Sequence, residues 1–143
     1  MTVPRAPSVI RRQAVFGLAD GIVLAVGFVV SFAGHPREIV HAALAAGLAE
    51  LVGMTSAVWL SETGEGLRPA LANGVACLAA CFLPAVPYLA GSGWAALVPS
   101  LLLTAGIGAV IARLRPERGA LAWVQTFGVL GAAAALSCLT FLI

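Results

Sequence analysis

The chain alternates between long apolar runs and short polar segments. Five runs come close to or exceed the roughly 20 residues that a membrane-spanning helix needs, and they cover residues 14–32, 39–60, 69–90, 95–113 and 120–143. Glycine and proline, which end helices, follow the first run at Gly34 and Pro36. The connections are too short to hold a folded domain, so the pattern predicts five helices in which successive helices are antiparallel neighbours.

Composition agrees with the hydropathy pattern. Hydrophobic residues make up 61% of the chain and charged residues 10%, against about 25% charged residues in soluble domains. We therefore predict an all-α integral membrane protein with a basic N-terminal arm at 1–13 and one transmembrane domain at 14–143. The net charge of +2 is too small to indicate nucleic acid, and nothing in the pattern predicts an enzyme. Abundant Ala, Gly and Arg without Lys favours a bacterial cell (inner) membrane.

The arginines are distributed unevenly between the two sides of the predicted bundle. Seven of the eight lie on the side of the N-terminus: Arg5, Arg11, Arg12, Arg68, Arg113, Arg115 and Arg118. Only Arg37 lies in a connection on the other side. Because cytoplasmic loops carry the excess of basic residues, this asymmetry predicts a cytoplasmic N-terminus and a C-terminus on the opposite side.

Two acidic residues, Asp20 and Glu50, lie within apolar runs. An acid at the centre of a membrane helix costs roughly 2.5–3.5 kcal/mol and commonly marks a path for ions or protons. Met54 follows Glu50 by one helical turn, and Glu62 comes at the cytoplasmic end of the same helix. Carboxylates with a thioether favour a divalent transition metal such as ferrous iron over magnesium or calcium. A bound cation would displace protons from the carboxyls, so the residues indicate exchange of metal for protons.

A stripe of small residues lies beside Asp20. Gly17, Gly21 and Ala25 recur at four-residue spacing, which lets helices approach closely in lipid. We expect this face to pack against another helix, at the seam of a homodimer. The simpler alternative for both acids is a hydrogen bond to a neighbouring helix that only holds the bundle together, and Met54 taken alone is more often a packing residue.

The third run contains two further features. Asn73, Cys77 and Cys81 recur at four-residue spacing; a buried cysteine usually acts as a small apolar residue, so we interpret both cysteines as packing residues. Pro84 and Pro87 each remove a backbone donor and predict a bend near the outer end of this helix.

Four segments carry a family resemblance. Residues 17–21 read GLADG, 47–50 read GLAE and 82–89 read FLPAVPYL, and Arg118 leads into a Gly- and Ala-rich last run. Together they resemble the vacuolar iron transporter family. The order and spacing match over nearly the whole chain. The resemblance implies a five-helix protomer in a homodimer that moves ferrous iron or manganese out of the cytosol against protons, with no tightly bound cofactor.

The resemblance also implies roles for individual residues. Asp20, Glu50 and Met54 match the family's pathway residues, and Glu62 matches an acid that follows the second helix in many bacterial relatives. Val58 stands where many members have another methionine. The connection at 61–68 does not contain the long Glu-rich insertion of many members, which leaves Glu62 and Glu65 at the cytoplasmic entrance.

Two other functions remain open at the level of sequence. One is a non-transporting membrane scaffold or assembly protein that retains the family fold and uses the acids for packing. The other is export of a small organic cation, for which membrane acids also serve, although Met54 has no role in that case.

Overall fold

The computed structural model describes residues 8–61, 66–115 and 119–139, and these residues are almost entirely helical. The elements are α1 (Val9–Ser31), α2 (Pro36–Ser61), α3 (Leu67–Phe82), a 3-10 turn (Leu83–Ala85), α4 (Pro87–Ala90), α5 (Trp94–Leu114) and α6 (Ala120–Cys138). Within the described ranges, five helices are long and apolar enough to cross a membrane when α3, the turn and α4 are counted as one helix. This agrees with the predicted number of helices of membrane-spanning length.

The first helix begins earlier than its apolar run. Ser8 caps α1, and its hydroxyl accepts a hydrogen bond from the backbone N–H of Arg11 at 3.3 Å. Helix α1 therefore starts at Val9, five residues before the apolar run, and Arg11 and Arg12 are helical. Hydropathy missed this turn because a helix can continue with polar residues beyond the apolar segment, where a serine cap decides its start.

The third span is interrupted in the region where its sequence predicts a bend. Pro84 lies within the 3-10 turn and Pro87 is the first residue of α4. Neither proline has a backbone N–H, so each removes one hydrogen bond of a continuous α-helix. The tighter 3-10 geometry satisfies part of the backbone that this loss leaves unpaired.

Helix α3 is the centre of the bundle, and both α1 and α2 pack along it. A Cβ atom added to Gly17 would overlap the carbonyl oxygen of Asn73, and one added to Gly21 would overlap that of Cys77. Ala25 continues the same face and is buried. The predicted close helix contact is therefore present, but within one chain. The expectation that this face lies at a subunit seam is corrected, because α3 already covers it.

Two apolar clusters hold the helices around α3. One joins α1, α2, α3 and the 3-10 turn through Val29, Ile39, Ala43, Cys81 and Ala85. The other joins α1 and α3 to α5 and α6 through Ile22, Ala80, Ile111 and Leu130. Large apolar side chains remain exposed on the outside of α2, α5 and α6, as suits helices that face lipid. Because α1 contributes to both clusters, its rotation about its own axis is restrained on two sides.

Candidate metal centre

Three side chains from three spans converge between α1, α2 and α3. Asp20, Glu50 and Cys77 each offer one ligand atom, and these three atoms lie within 4.8 Å of one another. Cys77 is fully buried and the two carboxyl groups are half-buried. The structure therefore brings together the two acids that the sequence singled out, and it adds a thiol.

The three residues lie near the middle of their spans. Asp20 comes 11 residues after Val9, Glu50 14 residues after Pro36 and Cys77 10 residues after Leu67. At a rise of 1.5 Å per residue, these positions are about 15–21 Å from one end of each helix. These distances are about half of the roughly 30 Å thickness of a bilayer's hydrocarbon core or somewhat more.

The close packing of α1 on α3 brings the thiol of Cys77 next to the acids. Its Sγ atom donates a hydrogen bond to Oδ2 of Asp20 at 3.7 Å. The glycine contacts described above bring the backbone of α1 directly against α3 at this level, so a side chain as short as Asp can reach the thiol. One turn later, the Sγ atom of Cys81 donates instead to the carbonyl oxygen of Ala43 at 3.4 Å, inside an apolar cluster.

The two cysteines therefore differ in role. Cys81 behaves as the packing residue that the sequence indicates. Cys77 is also buried, but packing alone is an incomplete description because its sulfur is part of the acidic cluster. The only signal in the sequence was its four-residue spacing from Asn73 and Cys81, which was consistent with a polar stripe.

Two carboxylates and a thiol form a mixed donor set. Metal–oxygen and metal–sulfur bonds are roughly 2.0–2.3 Å long, so three donors that share one ion lie about 3–4 Å apart. Because the three ligand atoms lie within 4.8 Å of one another, binding of one ion requires them to move closer together by up to roughly 1–2 Å. Oxygen donors accept hard divalent cations, whereas a thiolate favours zinc, iron and other transition metals. The set is thus suited to a divalent transition metal more than to magnesium or calcium.

Met54, another predicted ligand, lies nearer the end at which α1 and α3 begin. Met54 is half-buried and follows Glu50 by one turn, so it shares the face of α2 that carries the acid. Glu62 and Glu65 lie outside the described residues. Val58, which replaces a second methionine of the resemblance, is half-buried one turn beyond Met54.

Further polar side chains, which the sequence analysis did not assign to the site, lie on the same side of the cluster as Met54. The side chain of Asn73 is completely buried, and its amide donates a hydrogen bond to Oε1 of Gln13 at 3.1 Å. Among the described residues, Asn73 Oδ1 and Thr55 Oγ1 are buried without a hydrogen-bond partner. Such groups are costly in a bundle interior unless water or another ligand reaches them. Because of these side chains, the contact among α1, α2 and α3 is polar from the cluster toward the end of the bundle at which α1 and α3 begin.

These features define an all-helical protein with five helices of membrane-spanning length and a mixed carboxylate and thiol cluster at mid-span, as expected of an integral membrane protein. Comparisons with protein-family models, with curated proteins and with solved structures find no match to this chain. The family resemblance described in the sequence analysis therefore rests on its sequence motifs alone.

Proposed function

We propose that this protein is a secondary transporter that exports a divalent transition metal, ferrous iron or manganese, from the cytosol in exchange for protons. The observation that carries the proposal is the convergence of Asp20, Glu50 and Cys77 near the middle of three helices of membrane-spanning length. Two acids placed close together in a low-dielectric region cost free energy unless protons or a cation neutralise them.

The chemistry of exchange follows from that requirement. With no metal bound, protons on the carboxyl groups of Asp20 and Glu50 would relieve their mutual repulsion. A divalent cation needs the ionised carboxylates and so displaces those protons. A site that holds either protons or metal couples the two fluxes, provided that it is reached alternately from each side of the membrane.

The half-buried state of the carboxyl groups supports a homodimer as the transporting unit. Helices α1 and α2 both pack on α3 but contact each other little, and Asp20 and Glu50 are only half-buried. A second copy packed against this side of the bundle would shield the acids from lipid. In the orientation that the arginines predict, Gln13, Asn73 and Met54 lie on the cytoplasmic side of the cluster and line the approach from the cytosol.

The direct test is metal flux in proteoliposomes with an imposed pH gradient. Wild type, Asp20→Asn and Glu50→Gln would be compared for transport of ferrous iron and manganese, with Glu38→Gln as the matched control. Glu38 is an exposed acid in the first turn of α2, far from the cluster in sequence. We expect flux in wild type and in the control, and its loss in the two cluster variants. Equal flux in all four proteins would refute the roles assigned to the acids.

The second candidate is a membrane scaffold that uses the same groups for packing. It is favoured by the hydrogen bond between Cys77 and Asp20, which already gives one acid a partner inside the bundle. A scaffold would show no proton-coupled flux and no stabilisation by metal, whereas substitution of Asp20 would destabilise it.

A further inference from the structure

A second layer of donor side chains lies one helical turn from the metal centre, toward the end at which α1 and α3 begin. On α3, Asn73 precedes Cys77 by four residues. On α2, which runs antiparallel to α3, Met54 follows Glu50 by four residues. Four residues extend an α-helix by about 6 Å and return to the same face. The second layer therefore repeats the metal centre on α2 and α3, with a thioether in place of the acid and an amide in place of the thiol.

The amide of Asn73 has an unused acceptor at this level. Its side chain is 0% exposed, and its Nδ2 group donates to Oε1 of Gln13 at 3.1 Å. Among the described residues, its Oδ1 atom has no hydrogen-bond partner. A Cβ atom added to Gly17 would come within 2.8 Å of this oxygen, and Gly17 precedes Asp20 by three residues. The oxygen thus lies about one turn from the metal centre, where it is costly to bury unless water or a cation binds it.

A cavity lies beyond this layer, on the side away from the metal centre. Its volume is about 360 Å³, and it opens between α1 and α2. The lining residues are Arg12, Gln13, Phe16 and Val58. Gln13 lines the cavity and also accepts the hydrogen bond from Asn73, and it lies seven residues before Asp20, or about 10 Å along α1. The cavity, the second layer and the metal centre therefore follow one another along α1 at intervals of about one turn.

We propose that the amide oxygen of Asn73 and the thioether of Met54 form a second, neutral cation site, which a partly hydrated divalent transition metal occupies between the cavity and the metal centre. This inference rests on the proposed transport function and adds a step to it. Neither donor carries a proton that the ion must displace, and neither is charged, so the ion is held less tightly than by carboxylates. A path for ions needs sites that are favourable enough to enter and weak enough to leave. The neutral layer meets that need next to the acids.

The number of bound cadmium ions tests the second site. Equilibrium dialysis of the full chain in detergent would compare wild type, Asn73→Asp, and Asn73→Asp combined with Met54→Leu. A carboxylate at position 73 keeps an oxygen donor and supplies the charge that the neutral site lacks, so transient occupancy should become stable binding. We expect one more cadmium ion per chain in Asn73→Asp than in wild type. Adding Met54→Leu removes the soft donor and should abolish binding of that additional ion.

Manganese flux in proteoliposomes tests whether the ion passes through this site. Asn73→Leu removes the oxygen and keeps a side chain of similar size. We expect its flux to fall by about tenfold or more, while the purified variant binds manganese as tightly as wild type does, because the three ligands of the metal centre remain. Thr126→Val is the matched control: Thr126 is also buried and polar, but its hydroxyl donates to Ala122 of its own helix, α6. Thermal midpoints verify that each variant is folded.

Three results would overturn the inference. The first is an unchanged cadmium count in folded Asn73→Asp, or an additional ion that persists with Met54→Leu. The second is wild-type flux in Asn73→Leu, which also decides the matter if Asn73→Asp does not fold. The third is equal loss of flux and of manganese affinity in Asn73→Leu, which would make Asn73 only a support of the metal centre. Failure of the proposed function would differ from all three, because wild type itself would show no flux, and the cadmium count would still decide whether the second site exists.

Discussion

The thiol of Cys77 donates a hydrogen bond to the carboxyl group of Asp20 across the contact between α1 and α3, with Sγ and Oδ2 3.7 Å apart. Glu50 approaches the same sulfur from α2. This relationship joins a soft donor to two hard ones at the middle of the bundle. Several outcomes can be predicted from it and from the packing that creates it.

The metal preference should depend on Cys77. Replacing Cys77 with Ser keeps a small polar side chain but removes the soft ligand, so the affinity for cadmium should fall relative to that for manganese. We expect the ratio of the two affinities to change by roughly ten- to hundredfold, because even the hydrogen-bond partners of metal ligands have effects of that size. Isothermal titration of purified protein with each metal measures the ratio.

Cys81→Ser is the control for this prediction, because Cys81 donates to a backbone carbonyl outside the cluster. Its affinity ratio should equal that of wild type. Cobalt binding adds a spectroscopic measure: a sulfur-to-cobalt charge-transfer band should be present in wild type and Cys81→Ser and absent in Cys77→Ser. A band that persists in Cys77→Ser would show that Cys77 is not the sulfur ligand.

Metal should stabilise the folded protein if the cluster binds it. At a free manganese concentration 100 times the dissociation constant, linkage raises the free energy of unfolding by about 2.7 kcal/mol. We expect a rise in the thermal midpoint in detergent for wild type and for Glu38→Gln, and no metal-dependent rise for Asp20→Asn or Glu50→Gln. This measurement also separates the transporter from the scaffold: the scaffold predicts no effect of manganese on any of the four proteins.

The contact between α1 and α3 should not tolerate a larger residue. Gly17→Ala and Gly21→Ala each place a Cβ atom against a backbone carbonyl of α3, and overpacking of this kind costs typically 1–3 kcal/mol. Both variants should lower the thermal midpoint. Gly53→Ala is the matched control because no atom lies within 4 Å of the added Cβ, and the gain in helix propensity should leave it at least as stable as wild type. Equal midpoints for all three variants would contradict the packing described here.

Arg11 should contribute more to stability than its neighbour Arg12. Arg11 binds the last carbonyl of α5 through two donors, whereas Arg12 is exposed. Removing a hydrogen bond of a charged group costs about 1.5–3 kcal/mol when it is buried, and we expect about 1 kcal/mol at this half-buried position. Thermal midpoints of Arg11→Gln and Arg12→Gln in detergent, without added lipid, check the difference. A larger loss of stability in Arg12→Gln would contradict it.

The sequence was informative wherever a residue differed from its surroundings. Asp20 and Glu50 stood out because a charge within an apolar run has a large cost, and the structure places them in one cluster. Pro84 and Pro87 identified the interruption of the third span because proline lacks a donor. Gly17, Gly21 and Ala25 correctly indicated a close helix contact, but their spacing contains no information about which helix makes it, and the partner proved to be α3 of the same chain.

Cys77 and the contact between Arg11 and Leu114 show the opposite case. A cysteine is apolar enough to be buried without a partner, so nothing in its surroundings in the sequence distinguished it from Cys81 one turn later. Likewise, Arg11 and Leu114 are 103 positions apart, and no local pattern predicts their contact.

By itself, then, the sequence determined the five long apolar helices and the two acids within them, because hydropathy and the cost of a buried charge act residue by residue along the chain. Only the tertiary structure decided that Cys77 completes the acidic cluster and that Arg11 binds the last residue of α5. Those relationships depend on how α3 is rotated about its axis relative to α1 and α2, and on where α5 packs against α1. Contacts between residues far apart in the chain determine both.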